Sequence, residues 1–265
     1  MKKLLVLSAA ILFAFTMNAQ KFGVKAGYNM SGYLINFYSP DGSKMSTGFN
    51  FGLVGEYPVN DMMSLRADVT FNQLGSDFDS KNNSDEDWAY RPLGMEYNYK
   101  QNINYLQIGI SPKFSFGPVY AFVGPYFSYA LSASQTGTWE GTSLAGYPVA
   151  GTGTVDLFSD PNTTYAPFPW NLTEAYSDTN NEGGKGDLYN KMDVGFNLGL
   201  GANFSGVFVE LNAGMGLMNF INTGSTNYVA AGYTTKDDKT VAITGDASQK
   251  NIYFGLSVGY LLGGK

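Results

Sequence analysis

Residues 194–217 read VGFNLGLGANFSGVFVELNAGMGL, and the fold is decided there. Taken two at a time, Val194, Phe196, Leu198, Leu200, Ala202 and Phe204 share one face, with Gly195, Asn197, Gly199, Gly201 and Asn203 on the other. After Ser205–Gly206 the pattern resumes: Val207, Val209, Leu211, Ala213, Met215 and Leu217 stand against Phe208, Glu210, Asn212, Gly214 and Gly216. A period of two held over about ten residues marks a strand lying between two unlike environments. Two such runs joined by a tight Ser-Gly link read as a β-hairpin.

The theme repeats in both directions. Upstream, strands are expected over Phe22–Ser31, Phe49–Tyr57, Met63–Asn72, Leu106–Phe116 and Val119–Ala133, and downstream over Ile252–Leu262. The run at Val119–Ala133 is less clean, because Tyr120, Phe122 and Tyr126 fall on the face that is otherwise small or polar. Together with the hairpin this gives eight strands, an even number, as a closed antiparallel barrel of a bacterial outer membrane requires. The expectation is therefore all-β: an eight-stranded antiparallel up-and-down transmembrane β-barrel. Connections alternate in length. Pro58–Asp61, Gly117–Pro118 and Ser205–Gly206 are short, while about 34–47, 76–101, 134–190 and 221–249 are read as long loops. Short turns at one end and long loops at the other place the short end, and both termini, on the periplasmic side.

The polar face is mostly Gly, Asn and Ser, too sparse in charge to face water well. The apolar face carries Phe22, Tyr57, Phe71, Phe116, Phe204 and Tyr260 near strand ends, suited to an aromatic girdle at the lipid boundary. The expected arrangement is apolar face outward. FGVKAGYNMSGY (residues 22–33), YLQIGISPKFSFGPVYAFVGPYFSYAL (105–131) and FNLGLGANF (196–204) resemble the outer membrane β-barrel family common in Bacteroidetes, which includes PorT-like proteins. The resemblance covers the chain after residue 20 apart from the long loops. It implies insertion by the barrel-assembly machinery, with Tyr260 and its strand supplying the assembly signal, and it leaves a secretion or transport role, or a small pore, as an alternative to surface binding.

The N-terminus is laid out for export: Lys2 and Lys3, an apolar run from Leu4 to Phe15, then Ala19 before an expected cut at Ala19–Gln20. That run is well short of the ~20 residues a membrane helix needs. Residues 1–19 are read as a signal peptide and 20–265 as the barrel. Cleavage takes two lysines and no acids, moving the net charge from −6 to −8 and making nucleic acid a poor partner. With no Cys and no His, the commonest metal ligands and a conventional Ser-His site are missing. No catalytic residue, metal or cofactor is expected.

Two constellations remain. On the inward face, Lys25, Arg66 and Lys113 are matched by Glu56, Asp68 and Glu210, all in the periplasmic half of their strands; buried charges must pair, so a lumen ion-pair network is expected. Glu56 and Arg66 are read as partners from their similar distance to the Pro58 turn. The sharper alternative is a gated proton or ion path. In the loops, Trp88, Trp139 and Trp170, with Tyr165, Phe168 and Tyr176, either bind an extracellular ligand or envelope protein or pack a lid. The acidic run Asp77, Asp79, Asp85, Glu86 and Asp87 lacks the glycine of an EF-hand and is read as a solvated loop. The partners expected are outer-membrane lipid, the assembly machinery and an unknown surface ligand. The mature protein is expected to begin at or beside Gln20, which N-terminal mass analysis of membrane fractions checks; assembled protein retaining Met1 would overturn the export reading.

Overall fold

Ser205 and Gly206 sit at φ 52° and 95°, so the hairpin that they close has two left-handed residues in succession, as a type I′ turn demands. Asn203 Oδ1 accepts the Gly206 amide at 3.1 Å and holds the turn. At the next tight link Gly117, φ 64°, precedes Pro118. The link after Pro58 is instead fixed by Asn60, whose Oδ1 accepts the amides of Met62 and Met63 at 3.0 and 2.8 Å.

The computed structural model describes residues 21–35, 43–81, 93–142, 148–158, 190–220, 233–236, 239–242 and 249–263. Within them run β1 (Lys21–Ile35), β2 (Ser43–Pro58), β3 (Met63–Lys81), β4 (Leu93–Phe116), β5 (Val119–Thr142), β6 (Pro148–Asp156), β7 (Met192–Phe204), β8 (Val207–Gly216), β9 (Tyr233–Lys236), β10 (Lys239–Ala242) and β11 (Gln249–Leu262). Eight of them close on themselves in the order β4-β3-β2-β1-β11-β8-β7-β5, with β5 returning to β4. Every pairing is antiparallel, and the seam between β1 and β11 runs without a break from Phe22↔Leu262 to Ile35↔Gln249. The fold is the eight-stranded antiparallel barrel expected, and each of the eight anticipated strands forms part of its wall.

The segments read as loops hold more structure than expected. β3 runs on to Lys81, β4 begins at Leu93, β5 continues to Thr142 and β6 pairs with the far half of β5. β9 and β10 form a separate two-stranded ladder. A barrel strand crosses hydrocarbon in about 10 residues, whereas β4 and β5 are 24 residues long. The hand-over has a physical marker. β5 pairs with β7 up to Tyr129, and the β4–β5 register shifts between Asn104 and Tyr105; from Ser134 onward β5 takes β6 as its second neighbour. The alternation that flags a half-buried strand is lost there, because outward residues on β4 change from Ile110, Ile108 and Leu106 to Asn104, Asn102 and Lys100. That change also marks the upper rim of the apolar belt.

Within the belt the apolar face points outward. Val24, Leu53, Val69, Ile108, Val123, Leu198, Leu211 and Leu256, one from each wall strand, are all exposed. Soluble monomers rarely expose contiguous apolar patches beyond a few hundred Å², so a ring of this kind needs lipid around it. Tyr57, Phe116, Phe204 and Tyr260 are exposed at the short-turn end. Phe71 lies higher, stacked with Phe51 and Phe49 at centroid distances of 5.0 and 5.7 Å.

The irregular face of β5 has a cause. Tyr120, Phe122 and Tyr126 point into the barrel and stand directly opposite Gly201, Gly199 and Gly195 of β7. Tyr253 faces Gly214 and Phe208 faces Gly259 in the same manner. A Cβ on any of these glycines would overlap the ring across from it. The inward glycines are therefore recesses in which aromatic rings lie against the neighbouring strand. Gly199→Val is expected to displace Phe122 and lower the unfolding free energy from urea titrations in micelles by about 1–3 kcal/mol. Gly55→Ala, whose new Cβ would approach the Phe22 ring no closer than 3.6 Å, should stay near the wild-type midpoint.

Candidate functional site

Alternation on β3 sends Arg66 and Asp68, two residues apart, into the lumen on the same face. The guanidinium grips its own-strand neighbour through Nε and Nη2, each 2.9 Å from an Asp68 oxygen. It also reaches the opposite wall, where Nη1 and Nη2 donate to Glu210 Oε2 and Oε1 at 2.5 and 3.2 Å. Tyr120 donates its hydroxyl to Glu210 Oε2 at 2.9 Å, and the Phe122 ring lies under the guanidinium, 4.3 Å away. Lys25 Nζ donates to Asp68 Oδ1 at 2.9 Å and stands 3.9 Å from Glu210. A second unit pairs Lys113 Nζ with Glu56 Oε1 at 2.5 Å, the ammonium lying 3.9 Å from the Tyr120 ring centre. All six charged residues are buried, Arg66 at 1% and Glu210 at 0% exposure, and three positives balance three negatives.

One anticipated partnership is corrected. Glu56 and Arg66 are directly opposed in register, yet Glu56 pairs with Lys113 and Arg66 with Asp68 and Glu210. Directly opposed Cβ atoms are about 4.5–5.5 Å apart, less than an extended arginine reaches, so its fork passes Glu56 towards the lumen centre. The apolar cluster of Val54, Tyr120, Phe122, Phe208 and Leu261 packs around these charges.

Above this layer the lumen carries a directed chain of hydrogen bonds that the sequence reading did not assemble. Ser257 donates to Asn50, Asn50 to Asn29, Asn29 to Asn72, Asn72 to Gln107 and Gln107 to Tyr253, at 3.0, 2.8, 3.4, 3.1 and 3.1 Å. The chain begins and ends on β11 and visits β2, β1, β3 and β4. Its members are visible in the sequence as polar alternates, but their order depends on register across five strands.

At the outer end of the lumen the described residues gather an apolar cluster including Leu74, Ile103, Tyr105, Tyr126, Leu157, Phe220 and Tyr253. Tyr33 stacks on both Phe78 and Phe220, with centroids 6.3 and 6.2 Å apart. Of the loop aromatics, Trp88, Trp170, Tyr165, Phe168 and Tyr176 lie outside the described residues. Trp139 stands in β5, opposite Tyr97 and Gly151, and not in a loop. Asp77 and Asp79 lie on β3, facing Lys100 and Lys44 respectively; Asp85, Glu86 and Asp87 fall outside the described residues, as do residues 1–20. Among the described residues no three Asp, Glu, His or Cys side chains gather where they could hold a metal ion.

The family described as "Outer membrane protein beta-barrel domain" matches residues 18–222. No curated protein matches the chain. Among solved structures, it is similar to Ail, the attachment invasion locus protein of Yersinia pestis. The identity is 12%, coverage is 92% of this chain and 99% of that one, and the TM-score is 0.34. Neisserial surface protein A is similar at 13% identity, covering 90% and 96%, with a TM-score of 0.35. OprG from Pseudomonas aeruginosa is similar at 9%, covering 93% and 97%, with a TM-score of 0.30.

Removing one member of a buried ion pair strands its partner, at a cost of about 3–5 kcal/mol, whereas replacing both members can be neutral. Arg66→Ala is expected to lower the unfolding free energy from urea titrations by that order, and Arg66→Met with Glu210→Gln to recover much of the loss. In double-mutant cycles the coupling between Arg66 and Glu210 should exceed that between Arg66 and Glu56.

Proposed function

Because the chain belongs to the outer membrane protein beta-barrel domain family, we propose that it is a non-enzymatic surface barrel of the bacterial outer membrane. On this reading it acts through what it holds outside the cell, by binding or by supporting the envelope. The observation that carries the reading is the lumen, which is filled at two levels: six buried, mutually paired charges in the short-turn half and an apolar cluster at the other end. Eight strands enclose little more than their own side chains, and here those side chains bond to one another. What extends from the belt is a ladder of β3, β4, β5 and β6, its outward side chains polar at Asn98, Thr136, Thr138 and Glu140. Such a ladder suits the presentation of a surface to an extracellular ligand or envelope protein.

The partners on this reading are outer-membrane lipid around the belt, the barrel-assembly machinery during insertion, and that unidentified surface ligand. The short turns face the periplasm, and export proceeds through the signal peptide ending near Ala19. The competing reading is the secretion or transport role implied by the PorT-like resemblance. Planar-bilayer recordings decide between them. The purified barrel is expected to give no stable open level; an ohmic channel of porin size in the unmodified protein would reverse the ranking.

A further inference from the structure

The geometry points to a binding site for one monovalent metal cation in the upper lumen, built on Asp193 and Asn251. Asp193, near the start of β7, is 3% exposed, and Asn251 on β11 is 2% exposed. Asn251 Nδ2 donates to Asp193 Oδ2 at 3.0 Å and lies 3.1 Å from the Tyr105 hydroxyl. The Tyr126 hydroxyl donates to the same Asp193 oxygen at 3.2 Å. The other two oxygens of this linked pair, Asp193 Oδ1 and Asn251 Oδ1, are buried and have no hydrogen-bond partner. With Asp193 ionised both are acceptors, so neither can satisfy the other, and a cation can serve both.

Charge balance makes the same demand independently. The six charges deeper in the lumen cancel, but no lysine or arginine among the described residues forms an ion pair with Asp193. Lys191, two residues before it and just ahead of β7, holds its ammonium 5.0 Å from the Phe158 ring centre. The other titratable groups packed about the carboxylate are Tyr105, Tyr126 and Tyr253. Hydrogen bonds from Asn251, Tyr126 and the backbone of Met218 and Val194 support the carboxylate, but none of them brings a charge, and a buried charge without a counter-charge is costly. Space for it is kept by Gly216, where a Cβ would run into the Asp193 carboxylate.

The occupant follows from the donor set. Calcium takes six to eight oxygens and draws on several carboxylates; this site has one carboxylate, an amide oxygen and phenolic hydroxyls. A divalent ion would leave a surplus positive charge, whereas sodium or potassium leaves none.

The test is the unfolding midpoint of the full barrel in micelles at pH 7.5 and constant ionic strength, in sodium, potassium or choline chloride. A saturable rise in sodium or potassium over choline is expected, and Asp193→Asn should abolish it while Glu140→Gln, on the exposed ladder, retains it. Sodium-23 relaxation of the wild-type protein supplies a readout that does not need the variant to fold: saturable line broadening, reversed by excess potassium, is expected. Equal midpoints in all three salts, a shift surviving in Asp193→Asn, or an absence of broadening would overturn the site. A midpoint that depends on pH but not on the cation would do the same, since the carboxyl would then be neutralised by its own proton.

Discussion

A backbone amide facing hydrocarbon has no water to bind, so every strand inside the belt needs a neighbour on both sides. Closure of β1 on β11 meets that requirement for the first and last strands of the wall, and β5 meets it for β4. Beyond the belt the rule relaxes. There β5 exchanges β7 for β6 and the ladder runs on at a wall that no longer has to be complete. The register shift on β4–β5 at Asn104 and Tyr105 lies where the two regimes meet. It also coincides with the change from leucine and isoleucine to asparagine and lysine on the outward face of β4.

Closure at eight strands has a second consequence, which is a narrow bore. Inward side chains cannot be solvated freely and must satisfy one another across the lumen. The glycines opposite Tyr120, Phe122, Tyr126, Phe208 and Tyr253 fit this requirement: a ring on one strand occupies the space that its neighbour leaves empty. With rings lying flat along the wall, the axis is left to longer polar side chains. Arg66 can then bridge β3 to β8, which are not neighbours in the sheet. The fork geometry of arginine suits this position better than a lysine would, because two carboxylates on different strands are held by one planar group.

Much of this wall was legible in the sequence, since a period of two between lipid and lumen leaves a strong signal in every belt strand. The inward charges were equally legible, because Lys25, Glu56, Arg66, Asp68, Lys113 and Glu210 all fall on the alternate face. Their partners were not. Pairing across a barrel depends on tilt and stagger, and the local cue that set Glu56 beside Arg66 describes neighbours in register while saying nothing of a long side chain's reach. The outer ladder was hidden for a different reason. Where both faces are polar, as in the Gly-Thr-Gly-Thr run of β6 at residues 151–154, alternation carries no hydrophobic contrast and a strand reads as a loop.

The two ends of the lumen are therefore unlike in kind. In the short-turn half each charge has a named partner and the sum is zero, so the layer is complete from the chain's own atoms. In the outer half the Asp193 carboxylate sits among tyrosines that cluster with Leu157 and Phe220. Aromatic hydroxyls can orient a carboxylate by donating to it, but they bring no charge, and the low-dielectric surroundings that strengthen those bonds also magnify what is left unbalanced. A polar network in so confined a space is either closed by its own members or completed from outside. The lower layer meets the first condition, and Asp193, in the outer half, is where the second can operate.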